Sequence, residues 1–98
     1  GAGEAMGRAV AAKSRKEIAY IGVSREDKAA GAAREDGFRE GLKRSGKELK
    51  DGYYKVAEFT TESGYEKVLE LLNEKHDIDI ISCATDTIAA GAIEAIHT

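Results

Sequence analysis

Asp86 lies between Thr85 and Thr87, where the apolar run Ile78 to Cys83 gives way to an alanine-rich stretch ending at Thr98. An apolar run of this kind reads as a parallel β-strand covered on both faces. Side chains just beyond the carboxyl end of such a strand point into a crevice rather than a core, and α/β proteins keep ligand groups there. A carboxylate at that place can accept hydrogen bonds from a ligand. It can equally cap the helix that follows, which is worth about 1 kcal/mol. Thr85 and Thr87 divide in the same way between donating hydroxyls and capping, with capping the better reading.

The other reactive side chains are isolated. His76 and His97 fall at element ends with no Cys, Asp or second His at metal-ligand spacing, so neither ligation nor acid–base work is expected of them. Cys83, the single cysteine, sits inside the apolar run and reads as a small buried hydrophobe, as suits a reducing cytosol. No nucleophile is paired with a base, and no glycine-rich phosphate loop follows a strand; Gly1-Ala-Gly3 precedes a helix. The expectation is a protein without catalysis, cofactor or metal.

Composition sets the outer bounds. The 98 residues, 42% hydrophobic and 34% charged, suit one small globular domain. The net charge of −3, with Lys and Arg scattered among Asp and Glu, supplies little electrostatic footprint for nucleic acid. No apolar run approaches the ~18 residues of a membrane span, and the amino terminus lacks a signal-peptide core. A cytoplasmic protein is expected.

The elements that must position Asp86 follow from hydrophobic period. Gly3 to about Lys13 reads as a helix with Ala5, Met6, Ala9 and Val10 on one face, and Ile18 to Val23 as a strand. A polar loop, Ser24 to Ala30, leads to a helix from about Gly31 to Arg44 that buries Phe38 and Leu42; Ser45-Gly46 ends it. Tyr53 to Phe59 is the second strand. Thr60, Thr61 or Ser63 caps a third helix, running to about Lys75 on a stripe of Tyr65, Val68, Leu69 and Leu72. Strands alternating with helices demand crossovers, and right-handed crossovers make a parallel sheet with helices on both faces. The predicted fold is α/β, three parallel strands in the order 2-1-3. Its crevice opens between the Ser24 to Ala30 loop and the Ala84 to Thr87 loop. The last helix is apolar nearly all round, with Ala89, Ala92, Ile93 and Ile96 on one stripe and Ile88, Gly91 and Ala95 on the other side. One face has no cover within the chain, which points to a partner subunit or a further segment.

Five segments in order carry a resemblance: Ile18-Ala-Tyr-Ile-Gly-Val23, Ser24 to Gly31, Arg34-Glu-Asp-Gly37-Phe38, Ser63-Gly64-Tyr65 and Cys83-Ala-Thr-Asp86-Thr. Together they resemble the effector-binding domain of lactose/galactose-repressor-type transcription regulators, and most of all the trehalose- and sucrose-operon repressors. The resemblance covers essentially the whole chain and corresponds to the carboxy-terminal lobe of a two-lobed, periplasmic-binding-protein-like sugar domain. The family's helix-turn-helix, hinge helix, first lobe and returning strands are not matched.

The resemblance implies a set of site residues. Arg34, three residues before Gly37-Phe38, matches an arginine that forks onto sugar hydroxyls, a geometry its planar donors suit; from spacing alone it reads as a solvated helix arginine. Asp86 matches an acid that accepts from sugar hydroxyls. Phe59 matches an aromatic that packs on a sugar ring, though a core phenylalanine looks the same. Arg25, Asp27 and Lys28 fall in the first loop, where the family varies its selectivity residues. The whole protein is then expected to be a homodimer that binds operator DNA through an amino-terminal domain outside these residues. A disaccharide or sugar phosphate would change its affinity, and Ala89, Ala92, Ile93 and Ile96 would contribute to the subunit interface. A phosphoacceptor receiver domain shares the α/β pattern, but only Asp86 stands in a comparable setting. A stand-alone or engineered flavodoxin-like half-domain without a ligand is the alternative.

Overall fold

The alternating periods become α1 (Ala2–Lys13), β1 (Glu17–Val23), α2 (Ala29–Arg44), β2 (Tyr54–Ala57), α3 (Thr61–Glu74), β3 (Ile78–Cys83) and α4 (Asp86–Ile96). The computed structural model describes residues 1–24 and 29–98, with only the backbone of Ala29 and Ala30. Arg25, Asp27 and Lys28, expected as loop contacts, lie outside the described residues.

The sheet has the expected order, β2-β1-β3, and both pairings are parallel. Tyr20 is the hinge of the register, opposite Tyr54 on β2 and Ser82 on β3. As the central strand, β1 is buried from Ile18 to Val23. α1 packs against α2 and α3 against α4, and the sheet lies between the two pairs. Tyr20, Ile21, Phe38, Leu42, Val68, Leu71 and Ile88 are the large side chains that are fully enclosed. Each such burial contributes roughly 1.5–3 kcal/mol. Gly46, at φ +79°, ends α2 as expected, and the Lys47 amide reaches back to the Leu42 carbonyl at 2.9 Å.

Three local expectations are corrected, and the apolar face of α1 is not the one that the structure buries. The buried face of α1 is Gly7, Val10 and Ala11, whereas Ala5, Met6 and Ala9 are exposed. Glycine decides this: a Cβ at Gly7 would strike the Phe38 carbonyl, and one at Gly41 the Glu4 carbonyl, so α1 and α2 meet backbone to backbone. The helix turns its glycines, not its largest side chains, toward its neighbour. The same logic rotates α3, whose buried residues are Gly64, Val68 and Leu71, with Tyr65, Leu69 and Leu72 only partly covered.

β2 ends at Ala57 rather than Phe59, because the Glu58 amide leaves the ladder and donates to Ser63 Oγ at 2.9 Å. Thr60 is the cap of α3, its hydroxyl accepting from the Ser63 amide at 3.0 Å. β3 is not covered on both faces. It is an edge strand, and Ile80, Ile81, Ser82 and Cys83 all remain partly exposed. Cys83 is therefore a half-buried free thiol instead of a core residue, and desolvation pushes it up to about 11.

Candidate functional site

At the carboxyl end of the sheet, α1, α2, β3 and the start of α4 enclose a cavity of about 190 Å³. Arg34 and Asp86, the two residues singled out for ligand contact, both line it. Arg34 comes from the second turn of α2, and its Nη1 donates to the Ala84 carbonyl at 2.6 Å, which holds the guanidinium at the β3–α4 junction. That bond engages one of the five donors of the fork, and the side chain stays open to solvent. Asp86 is the first residue of α4, where a negative charge is favoured by the helix dipole. The cap of α4 is Thr85, whose Oγ1 accepts from the Ile88 amide at 3.1 Å. Asp86 thus presents an exposed carboxylate that does not serve as the cap. Thr87 is exposed on the next position of the helix and does not cap it.

The floor of the cavity was not legible as a site in the sequence. Tyr20 and Ser82, paired in register on neighbouring strands, line it together with Phe38 and Cys83. Tyr20 is 1% exposed, and its hydroxyl has no hydrogen-bond partner among the described residues. Burial, then the Glu35 charge, pushes its phenol up to about 12, so it remains protonated at neutral pH. Ser82, a polar residue near the carboxyl end of a mostly apolar strand, is the one available hint. A tyrosine in a central strand carries no mark that its hydroxyl will lack a partner.

Behind Arg34 stands a buried carboxylate that sequence reasoning also missed. Glu35 accepts from the Tyr54 hydroxyl at 2.8 Å and from Arg39 Nε at 3.2 Å, and the Arg39 guanidinium sits 5.1 Å from the Tyr54 ring centre. Gly22 leaves room for this bridge, since a Cβ there would lie 2.8 Å from the Tyr54 hydroxyl and 2.9 Å from Glu35 Oε1. The bridge ties α2 to the sheet one residue after Arg34, and so fixes the direction from which the guanidinium enters.

Phe59 lies in the loop after β2, is 46% exposed, and is not among the residues that line the cavity. The last-helix stripe divides. Ala92 is buried within the chain and Ala89 half-buried, while Ile93 and Ile96 are 57% and 54% exposed. Those isoleucines, with Met6, Ile80 and Ile81, border a wider apolar cleft of about 590 Å³ along the open edge of β3. The opposite side of α4, Ile88, Gly91 and Ala95, is covered by α3. Among the described residues no cluster of three or more His, Cys, Asp or Glu could hold a metal ion, and no helix is long and apolar enough to cross a membrane.

Comparison with known proteins agrees with this arrangement. The family model described as periplasmic binding proteins and sugar binding domain of LacI family matches residues 1–98. The regulator CelR of Thermobifida fusca is 31% identical over 72 residues, covering 74% of this chain and 21% of that protein. The repressor PurR of Klebsiella pneumoniae is 30% identical over 91 residues, covering 93% of this chain and 26% of that one. Among solved structures, a complex of the transcriptional regulator CelR with cellobiose superposes with a TM-score of 0.87 at 27% identity, over 97% of this chain and 29% of that one. The chain thus spans about a quarter or less of the curated relatives it matches. A parallel 2-1-3 sheet, a cavity at its carboxyl end and a match along the whole sequence place this chain in the family of periplasmic binding proteins and sugar-binding domains of LacI-type regulators.

Proposed function

We propose that this chain is a sugar-binding lobe of a transcriptional repressor's effector domain, working in the cytoplasm and without catalysis. The observation that carries the reading is the meeting of Arg34 and Asp86 in one cavity at the carboxyl end of the sheet. A forked cation donates and a carboxylate accepts, and a sugar presents adjacent hydroxyls that can do the opposite of each. The solved CelR complex holds cellobiose, which supports a disaccharide as the effector class. Trehalose, sucrose and their 6-phosphates are the finer candidates, from the resemblance to the repressors of those operons.

In the whole protein the effector closes this lobe against a second one. Closure shifts operator affinity by as much as the ligand binds the closed state better than the open one. Operator contact belongs to an amino-terminal domain outside residues 1–98, and the protein works as a homodimer with Ile93 and Ile96 in the subunit contact. Phe59 and the loop residues Asp27 and Lys28 contribute to selectivity on the closed side. Calorimetric titration of the chain with cellobiose, sucrose, trehalose and the 6-phosphates tests the reading, with Arg34→Ala as control. Saturable binding that the control abolishes supports it. Silence from every sugar, on a folded chain, overturns it in favour of a half-domain without a ligand.

A further inference from the structure

Tyr20 presents the site with a group that is costly to leave as it is. Tyr20 lines the Arg34–Asp86 cavity, and its hydroxyl is enclosed and has no partner among the described residues. A buried donor without an acceptor is disfavoured, so the hydroxyl gains whenever an oxygen enters the cavity beside it. Its ring cannot turn aside. Phe38 packs on one side at 4.8 Å between ring centres, and Tyr54 stacks at 6.3 Å with planes only 5° apart. Tyr54 is held in turn by Glu35. The hydroxyl oxygen is therefore held in place before any ligand arrives, and only the O–H has still to turn toward it, which lowers the ordering cost of binding.

The chemistry of the surrounding groups narrows what that oxygen can be. Arg34 offers only donors and Asp86 only acceptors when ionised. A carboxylate or phosphate oxygen deep in the cavity would suit Arg34 and Tyr20 but face the Asp86 charge. A hydroxyl oxygen satisfies all three, because it accepts and donates at once. About 190 Å³ gives room for several waters at ~30 Å³ each, so the space can take a polyol in place of those waters.

We infer that Tyr20 is a specificity residue of this site, its hydroxyl donating to a sugar hydroxyl that enters below the Arg34–Asp86 pair. This rests on the sugar-binding reading above and adds to it a contact from the floor of the cavity. Ligands able to place a hydroxyl at that depth are favoured over analogues that have lost it.

The test uses the 98-residue chain, labelled with ¹³C at tyrosine Cζ, titrated with cellobiose and then with the other sugars of the panel, in wild type, Tyr20→Phe and Arg34→Ala. For the first sugar that saturates the wild type, Tyr20→Phe is expected to weaken binding about tenfold, the loss of one enclosed hydrogen bond. The Tyr20 Cζ resonance should move on saturation, and the unfolding midpoint of Tyr20→Phe should be no lower than that of the wild type. Wild-type affinity in Tyr20→Phe, with binding abolished in Arg34→Ala, overturns the inference and leaves the sugar-binding reading standing. A lowered midpoint with affinity unchanged also overturns it, by assigning the hydroxyl a structural partner. Absence of binding in the wild type itself overturns both.

Discussion

Asp86 and Thr85 are neighbours with separable duties. Because Thr85 supplies the cap of α4, Thr85→Ala should cost about 1 kcal/mol in chemical denaturation. Asp86→Asn keeps shape and loses only a first-turn charge, so its stability should change by less than about 1 kcal/mol, while saturable sugar binding is lost. Equal loss of stability in both variants would mean that Asp86 shares the cap. Tyr20 and Tyr53 carry a second signature. Burial raises the first, and the hydrogen bond to Asp77 raises the second, each to about 12. A raised phenol contributes stability that is complete below the unfolded value of about 10 and is lost as pH climbs through 12. Absorbance titration should show a late component that shrinks in Tyr20→Phe and in Tyr53→Phe; ionisation of both at the ordinary value would contradict it. Asp79 behaves oppositely. The Arg15 amide, with Ser14 and the Lys16 amide, holds it below the usual carboxylate range. Its contribution is present above about pH 4 and lost as pH falls through the lowered value, so the stability gap between wild type and Asp79→Asn should close in acid. Asp86 could be singled out because it follows a strand end, and Arg34 only through the family resemblance, since from spacing alone it reads as a solvated helix arginine. Tyr20 and Glu35 could not. Both are enclosed by tertiary neighbours distant in sequence, and neither has a local pattern that foretells it.

Elements obeyed their periods in kind and order, because helix and strand patterns are local. Their facing was less legible, since it depends on the partner. Sequence assigned α1 the face with the largest apolar residues, yet the chosen face carries Gly7, because backbone contact with α2 excludes a side chain there. The same holds where α3 crosses α4. A Cβ at Gly91 would run into the Thr61 carbonyl and lie 2.6 Å from the Tyr65 amide, both of them backbone. Gly91→Ala should therefore destabilise by about 1–3 kcal/mol, against the usual helix preference for alanine. Unfolding in urea measures this, and a variant as stable as the wild type would show that the helices separate freely. β3 was misjudged for a related reason. A six-residue strand with four apolar residues signals a segment that is to be covered, but not whether the cover lies within the same 98 residues.

At the scale of the molecule, one end is polar and one edge apolar. The carboxyl end gathers Arg34, Asp86 and Tyr20, while the β3 edge exposes Met6, Ile93 and Ile96 beside a cleft of about 590 Å³. The apolar edge was anticipated as an uncovered face of α4, but Ala92 proved to be covered inside the chain and the open positions are the isoleucines. In sedimentation of the intact protein, Ile93→Glu should shift dimer toward monomer, and an unchanged dimer would place the subunit contact elsewhere. The polar end carries the proposed sugar site, and calorimetric titration of the chain with cellobiose and the related disaccharides, in wild type and Arg34→Ala, tests that site most directly. Saturable binding in the wild type, even at millimolar affinity, and none in Arg34→Ala is the expected result. Equal binding in both, or none in a folded wild-type chain, would contradict a sugar site built on Arg34 and Asp86.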